Sequence, residues 1–354
     1  MTSPPLRKVN KIAVLRPNAL GDFIFCLPAL HALRSAYPGA ELVYLGQRWH
    51  AEFLAQRLGP VDRAVVVPPL PGMGAPAGNA ETPQALAFFQ TMQREQFDLA
   101  LQMYGGGRYA NPVVQRLEAR CSVGMRTADA APLGRSLPYH GPVNRRLQLL
   151  EVALLAGASS WPMAARLHVT ALDRNLSMQV MPEADRQAVV LLQPGSKDPR
   201  RCWPALRYAA VADALAEEGA CIVINGTLDE APLVHAVQAA MRHQAIDLSG
   251  KLSLSGLCGL LARCTMVVAN DTGPLHLALE IGTPCVGIYW FTNLIESAPL
   301  VQCNHRAAIS LRVHCPVCGT ENLAQRCEHD VSFVDDVSLE EVTALAIALY
   351  RDSV

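Results

Sequence analysis

Short apolar runs alternate with helical patterns along most of the chain, and this alternation restricts the fold more than any other feature. It begins at residues 11–16 and restarts at residues 188–192, after a mixed stretch over residues 157–187. Strands separated by helices pair in parallel and are covered on both faces. The sequence therefore predicts an α/β protein of two doubly wound, Rossmann-like domains. We expect the ligand to bind at the carboxyl ends of the strands, in a central cleft between two facing sheets.

Length and composition are consistent with this prediction. The 354 residues are enough for two domains, and 51% hydrophobic with 17% charged residues is typical of a globular chain. We place the N-terminal domain at residues 1–170, the C-terminal domain at residues 171–336 and a final amphipathic helix at residues 337–354. Residues 68–80 are predicted to be a loop, residues 157–187 to hold the interdomain linker, and residues 284–288 to be the last strand.

Charge and hydropathy exclude several classes of protein. A net charge of −1 provides no basic field, so we expect no nucleic-acid partner. No apolar run reaches the length of roughly 18 residues that a membrane-spanning helix needs. The N-terminal apolar run is interrupted by polar residues, unlike a signal peptide. We therefore predict a cytoplasmic protein, whose 11 cysteines are mostly reduced core residues.

One polar stretch stands out between a strand pattern and a helix pattern. Residues 269–276 read Ala-Asn-Asp-Thr-Gly-Pro-Leu-His, after the apolar run 265–268 and before a helical pattern over residues 277–281. Backbone N–H groups at the start of a helix form a site for a phosphate. Alternatively, Asp271 or Thr272 caps the helix and Pro274 occupies its first turn. This stretch alone leaves both interpretations open.

Four more segments accompany this stretch in a fixed order. They comprise residues 16–22 with Leu-Pro-Ala-Leu at 27–30, residues 140–150, Pro-Gly-Ser at 194–196 with Trp-Pro at 203–204, and Leu-Ser-Gly-Lys at 248–251 with Leu254. Together with residues 270–276, they resemble the motifs of the heptosyltransferases of glycosyltransferase family 9. The resemblance covers nearly the whole chain and implies the two-domain GT-B fold. It also leads us to expect the C-terminal helix to pack back on the N-terminal domain.

The resemblance implies an inverting transfer of heptose from ADP-heptose to a lipid A-linked saccharide of the lipopolysaccharide core, with no metal needed for catalysis. Such an enzyme would work at the inner face of the cytoplasmic membrane, with peripheral contact to it. Heptosylation of a protein and transfer of another sugar are alternatives within the same class. A nucleotide-sugar-binding protein without turnover and a nucleotide-sugar epimerase of similar fold are alternatives from other classes.

Asp22 is the expected catalytic residue. In the family, the acidic residue that closes the first strand and turn is proposed as the general base for the acceptor hydroxyl. An inverting transfer needs a base opposite the departing nucleotide, which a carboxylate can supply. The alternative is that Asp22 only caps the helix that follows.

The resemblance also implies a donor site in the second domain. Gly195 with Ser196 would face one phosphate, and Thr272 with Gly273 the other. Arg201 stands where the family usually has a lysine that reaches the diphosphate, with Lys197 and Arg200 nearby. The remaining assignments are sugar hydroxyls for Asp271, the ribose for Glu230 and a site-facing position for His276. Each assignment has an alternative. The basic residues around Arg201 could form a solvated loop, Glu230 could be an exposed glutamate at a helix start, and His276 could be a structural hydrogen-bonding residue.

Arginines of the first domain are the candidates for acceptor binding, because guanidinium groups suit phosphates and carboxylates. The candidates are Arg16, Arg108, Arg126 and Arg146.

A cysteine and histidine cluster near the C-terminus is separate from this chemistry. Cys315, Cys318, Cys327 and His329 have ligand types suited to structural zinc or iron, and Cys303 could add a further sulfur. The spacing of the second and third cysteines is short for an ordinary zinc finger. Plain packing of the tail is therefore the alternative.

Overall fold

The computed structural model describes residues 8–159, 166–301, 304–323 and 325–354. Two compact units divide the chain, Met1–Ala165 and Arg166–Val354. Each unit holds a six-stranded parallel sheet with helices on both faces, so the predicted doubly wound α/β class is confirmed.

The first unit follows the predicted alternation of strands and helices. Its strands are β1 Lys11–Leu15, β2 Glu41–Gly46, β3 Arg63–Val66, β4 Leu70–Pro71, β5 Gly74–Ala75, β6 Leu99–Gln102, β7 Cys121–Arg126 and β8 Arg135–Pro138. Its helices are α1 Leu20–Ala36, α2 Arg48–Leu54, α3 Pro83–Arg94, α4 Ala110–Gln115 and α5 Arg145–Leu155. The main sheet has the order β3-β2-β1-β6-β7-β8, which makes β1 and β6 its central strands.

Burial of apolar side chains explains this arrangement. Strand β6 is buried throughout, as is β1 apart from Lys11 at its start, because helices cover both faces of the sheet. Helices α1 and α5 pack on one another, while α3 and α4 contribute Phe88, Phe89 and Val114 to a separate core against β1 and β6. The turn after β1 therefore opens at the carboxyl edge of the sheet, where α1 begins.

The second unit repeats this architecture. Its strands are β9 Val189–Gln193, β10 Cys221–Ile224, β11 Ile246–Asp247, β12 Met266–Asn270, β13 Cys285–Trp290 and β14 His305–Ser310. Its α-helices are α6 Ala171–Val180, α7 Ala205–Glu217, α8 Ala231–Ala240, α9 Leu254–Leu261, α10 Gly273–Ile281, α11 Phe291–Ser297 and α12 Leu339–Arg351; short 3-10 turns occupy Pro182–Arg186, Pro199–Arg201 and Leu228–Glu230. The strand order is β11-β10-β9-β12-β13-β14.

The C-terminal helix α12 lies where its prediction did not place it. Val342, Ala346, Leu349 and Tyr350 are buried in one core with β12, β13 and α7 of the second unit. The expectation that this helix packs on the N-terminal domain was therefore wrong. The apolar stripe of α12 is buried against the sheet of its own unit, on the face that α7 also covers.

Several shorter elements were missed. Residues 284–288 were predicted to be the last strand, but β14 pairs in parallel with β13 and extends the sheet. Helix α6 occupies part of the predicted linker, and α4, β8 and α11 were not predicted. The predicted loop 68–80 contains the two-residue strands β4 and β5. These elements are short, with too few residues for a clear period. Residues 160–165 of the predicted linker lie outside the described part of the chain.

Among the described residues, every helix is too short or too polar to cross a bilayer.

Candidate active site

A buried asparagine joins two segments at the carboxyl ends of β9 and β12. The Asn270 amide donates to the carbonyl oxygen of Pro194 at 2.7 Å, and its side-chain oxygen accepts from the backbone N–H of Trp203 at 3.1 Å. Its side chain is fully buried. Asn270 therefore fixes both ends of the loop 194–203, which carries most of the basic residues predicted to bind the donor. Its position in the motif was noted from sequence, but its role was not predicted.

Asp271 is the centre of a hydrogen-bonded cluster. Its Oδ1 accepts from His276 Nε2 and from Ser297 Oγ, both at 2.9 Å, and its Oδ2 lies 3.0 Å from Arg201 Nη1. Asp271 is only 4% exposed. Both oxygens of this carboxylate accept from protein donors, and its contact with sugar hydroxyls stays a prediction. Ser297 was missed, since it lies on the unpredicted helix α11 with no local signal.

The charge state of this cluster follows from its contacts. Burial by itself would raise the pKa of Asp271, but the hydrogen bond and charge of His276, together with the charge of Arg201, lower it below its ordinary value. Asp271 is therefore ionised at neutral pH and holds Arg201 electrostatically.

The N-terminus of α10 has no side-chain cap. Thr272 occupies the N-cap position in an extended conformation, and its hydroxyl makes no capping hydrogen bond. The Asp271 carboxylate is engaged with the residues named above. Neither residue therefore caps the helix through its side chain, so the capping alternative is not supported. The first-turn N–H groups, beginning at Gly273, lie at the positive end of a nine-residue helix.

Gly195 and Glu230 are in direct contact. A Cβ placed on Gly195 would lie 2.1 Å from Glu230 Oε1, so only glycine leaves room for this carboxylate. Glu230 Oε2 also accepts from the backbone N–H of Thr227 at 2.8 Å. Glu230 is half-buried and lies against the 194–203 loop, and its hydrogen bond to Thr227 also makes it the capping-box residue of the 3-10 turn Leu228–Glu230. Ser196, in the same loop, accepts from the N–H of Asp198 at 3.4 Å.

The three basic residues of the loop differ in their ion pairs and in their exposure. Arg200 forms a two-pronged ion pair with Asp198, with Nε 3.0 Å from Oδ1 and Nη2 2.7 Å from Oδ2. Lys197 is exposed. Arg201 keeps about a third of its side chain accessible while it contacts Asp271, so it is the member of this group that is both held in place and open to a ligand.

In the first unit, Asp22 lies in the first turn of α1. The N-cap residue is Ala19, so Asp22 does not cap the helix. Arg16 holds it at two points, with Nη2 2.9 Å from Oδ1 of the carboxylate and Nε 2.8 Å from the backbone carbonyl oxygen. A further hydrogen bond joins Arg16 to the carbonyl oxygen of Met103. The Asp22 side chain is 36% exposed, which leaves its carboxylate accessible.

The four arginines predicted to bind the acceptor fall into two groups. Arg16 is 4% exposed and its guanidinium is engaged as described, and Arg146 is also buried, with its guanidinium 4.6 Å from the ring centre of Phe25. Both guanidinium groups are therefore largely enclosed by the protein, and their contact with the acceptor stays a prediction. Arg126 is half-buried at the end of β7, and Arg108 is exposed. The last two are accessible.

The predicted cysteine and histidine ligands do come together. One ligand atom from each of Cys315, Cys318, Cys327 and His329 lies within 4.8 Å of the other three. This spacing suits four ligands around one tetrahedral metal ion. Cys303 lies outside the described residues.

The surroundings of these thiols fit a metal as well. The N–H of Val317 points to the Cys315 sulfur at 3.5 Å, and the Asn322 amide points to the Cys327 sulfur at 3.5 Å. Hydrogen bonds from the side chain and backbone of Thr320 are the main cause that lowers the pKa of the Cys318 thiol to about 6. Donors that stabilise thiolates are the usual support for metal-bound cysteines.

Comparison with known proteins supports the sequence motifs. Residues 85–322, well over half of the chain, match the family model described as glycosyltransferase family 9 (heptosyltransferase). The chain belongs to glycosyltransferase family 9. It is 22% identical to the lipooligosaccharide heptosyltransferase 2 of Haemophilus influenzae, over 82% of this chain and 86% of that protein. It is thus a glycosyltransferase, as the resemblance implied.

Solved structures agree on the fold. The family 9 glycosyl transferase of Veillonella parvula superposes with a TM-score of 0.84 at 20% identity, covering 99% of this chain and 100% of that one. The ADP-heptose lipopolysaccharide heptosyltransferase II of Escherichia coli superposes with a TM-score of 0.75 at 18% identity, covering 97% of this chain and 99% of that one. The predicted GT-B fold is confirmed.

A more distant likeness concerns a metal-containing protein. The iron-containing dodecameric glycosyltransferase TibC of enterotoxigenic Escherichia coli has a TM-score of 0.54 at 13% identity, covering 98% of this chain and 78% of that one.

Proposed function

We propose that this glycosyltransferase moves heptose from ADP-heptose to a lipid A-linked saccharide of the lipopolysaccharide core. The observation that carries the proposal is the N-terminus of α10, which has no side-chain cap and follows directly on the Asp271 that holds Arg201. A helix N-terminus beside a guanidinium group suits a diphosphate. Relatives named as heptosyltransferases support the choice of sugar and acceptor.

The chemistry that these residues support is an inverting displacement. Asp22 accepts the proton of an acceptor hydroxyl while the hydroxyl oxygen forms a bond to the anomeric carbon of the donor sugar. The bond between that carbon and the diphosphate oxygen breaks, and the electron pair leaves with ADP. Arg201 and the α10 N-terminus stabilise the charge that develops on the diphosphate.

The other donor residues have supporting roles in this proposal. Gly195 and Ser196 place backbone N–H groups at one phosphate, while Thr272 and Gly273 serve the other. Glu230, which lies against Gly195, would accept hydrogen bonds from ribose hydroxyls. Asp271 and His276 act through Arg201, as positioning residues.

On the acceptor side, Arg108 and Arg126 are the accessible members of the predicted set, and we assign to them the anionic groups of the saccharide. A lipid-linked acceptor requires work at the cytoplasmic face of the inner membrane, by peripheral contact.

We further propose that the cluster of Cys315, Cys318, Cys327 and His329 holds a structural zinc or iron ion. The ion would cross-link a segment that has little regular secondary structure of its own, and it takes part in no catalytic step. The iron of TibC supports iron as one of the two candidates. Metal analysis of the purified protein tests this proposal. Absence of stoichiometric zinc and iron would contradict it.

The identity of the donor is tested by ligand binding. Thermal unfolding is measured with ADP-heptose, ADP-glucose and several UDP-sugars, because a specific ligand raises the melting temperature by mass action. We expect the largest shift with ADP-heptose. A response to UDP-sugars alone would contradict the donor assignment.

The catalytic assignment needs its own variant. Asp22→Asn should abolish heptose transfer and retain the shift with ADP-heptose, whereas Asp62→Asn, in another Asp–Arg ion pair of the same unit, should keep activity. Near-normal turnover of Asp22→Asn would show that Asp22 is not the base.

A further inference from the structure

We propose that the metal cluster controls donor affinity through residues 330–337, which we call the brace. The brace follows the last ligand, His329, and is hydrogen-bonded to the loop that carries Arg201. This inference rests on the proposed metal site. It assigns Ser332 and the metal ligands a part in positioning Arg201, although none of them is expected to touch the donor.

The brace is hydrogen-bonded to the loop on both sides of Arg201. The backbone N–H of Phe333 donates to the carbonyl oxygen of Arg200 at 2.7 Å, and the Ser332 hydroxyl donates to the carbonyl oxygen of Cys202 at 2.7 Å. The residues immediately before and after Arg201 are thus held by neighbouring residues of the brace. A shift of the brace would move the backbone from which the Arg201 guanidinium extends.

The far end of the brace is anchored to the same region. Trp203 Nε1 donates to the carbonyl oxygen of Val337 at 3.0 Å, and Arg207 Nη1 donates to that oxygen at 2.8 Å. The Phe333 ring is fully buried, with its centre 4.9 Å from that of Trp290. These contacts place the brace between the core of the second unit and the loop 194–203.

Both ends of the metal-binding segment reach the brace. His329 precedes Ser332 by three residues, and Arg312 lies three residues before Cys315. Arg312 Nη1 donates to the carbonyl oxygen of Ser332 at 3.1 Å, and its own carbonyl oxygen accepts from Trp290 Nε1 at 2.6 Å. The chain therefore enters and leaves the cluster next to Ser332.

A metal ion would make the segment between Arg312 and the brace more rigid. Between Arg312 and the brace, the described residues form only an isolated bridge between His314 and Glu321 and a few turns, with no helix or longer strand. Segments of this kind open easily unless a ligand cross-links them. An ion bound by four side chains would fix the exit of the segment and hence Ser332. Donor binding would then require less ordering of the Arg201 loop, which raises affinity.

The first test measures ADP binding by calorimetry on the full-length protein in three states: metal-loaded, stripped by a chelator, and reloaded. The metal content is measured in each state. We expect stripping to weaken ADP binding roughly tenfold and reloading to restore it, as for a loop that must be ordered on binding. Unchanged affinity after complete stripping would overturn the coupling, while the metal site itself would stand.

A variant separates the brace from the metal. Ser332→Ala removes one hydrogen bond to the loop and leaves all four ligands in place. We expect several-fold weaker ADP binding with the metal retained, whereas Ser353→Ala, whose hydroxyl bonds only within the end of α12, should match the wild type. If the stripped protein unfolds, this variant still tests whether the brace positions the loop that carries Arg201.

The remaining outcomes are also informative. Wild-type affinity in Ser332→Ala would contradict the brace. Absence of stoichiometric metal would contradict the metal site and the coupling together. Failure of the metal-loaded protein to bind ADP would contradict the proposed donor, and with it the role of the brace.

Discussion

Arg201 Nη1 lies 3.0 Å from Oδ2 of Asp271, and this pair joins the loop 194–203 to the start of α10. Asp271 is itself fixed at its other oxygen by His276 and Ser297. A buried carboxylate needs such partners, since removing one of them leaves an uncompensated charge. The pair thus orients a guanidinium that stays partly accessible. An arginine can serve where the family usually has lysine, because it can contact Asp271 and a phosphate with different nitrogens.

The first prediction concerns the coupling of this pair. Arg201→Ala should weaken ADP binding by about ten- to a hundredfold, as expected for loss of a charge-assisted contact. Asp271→Asn should weaken it less, and the double variant should be no worse than Arg201→Ala, because Asp271 acts through Arg201. Calorimetry measures all three, with Arg186→Ala as an exposed control in the same unit. Additive losses would show that Asp271 acts on the ligand independently.

The second prediction concerns Arg16, whose guanidinium holds Asp22. Arg16→Lys gathers its donors on one nitrogen and cannot reproduce the spread of the guanidinium over Asp22 and Met103, so the base should be misplaced. We expect kcat to fall by about tenfold or more, with the KM for the donor nearly unchanged. Arg34→Lys, which alters another Arg–Asp pair of the first unit, serves as the control. A rise in donor KM without loss of kcat would argue against the positioning role.

A third prediction follows from the contact between Gly195 and Glu230. In Gly195→Ala the new methyl group would occupy the position of the Glu230 carboxylate, which must move away from the loop. ADP binding should weaken by about tenfold if Glu230 contacts the ribose, as for loss of a hydrogen bond to a charged group. The control is Gly39→Ala, because a Cβ there meets no atom within 4 Å. Equal affinity in both variants would remove Glu230 from the donor site.

A fourth prediction concerns the pH dependence of stability. His50 is fully buried, its Nδ1 accepts from the Gln47 N–H at 2.9 Å, and burial lowers its pKa to about 3. In the unfolded chain the pKa is about 6.5. Between these values the unfolded state binds a proton that the folded state does not. The contribution of neutral His50 to the free energy of unfolding is therefore fully present above pH 6.5. It falls by about 1.4 kcal/mol per pH unit as the pH is lowered.

Urea unfolding at pH 7.5 and pH 5.5 measures this contribution. His50→Asn should lower stability at both pH values and reduce the loss between them relative to the wild type. An identical pH dependence in the His50 variant would contradict the assignment.

The sequence by itself determined the doubly wound class, the family and the segments that bear the site. Strand and helix periods are local, and the residues around Asp22 and over 270–276 lie at turns that the alternation places at the carboxyl ends of strands. Cys315, Cys318, Cys327 and His329 were also predicted together, since they lie close in sequence.

Only the tertiary structure decided how side chains from distant segments meet. Arg201 and Asp271 are separated by 70 residues and Ser332 and Cys202 by 130 residues, so no local pattern connects them. It also decided that Arg16 holds Asp22 and that α12 packs in the second unit. Hydrogen-bond partners and packing neighbours depend on where the whole chain brings each group, whereas the alternation of strands and helices depends only on the residues of each segment.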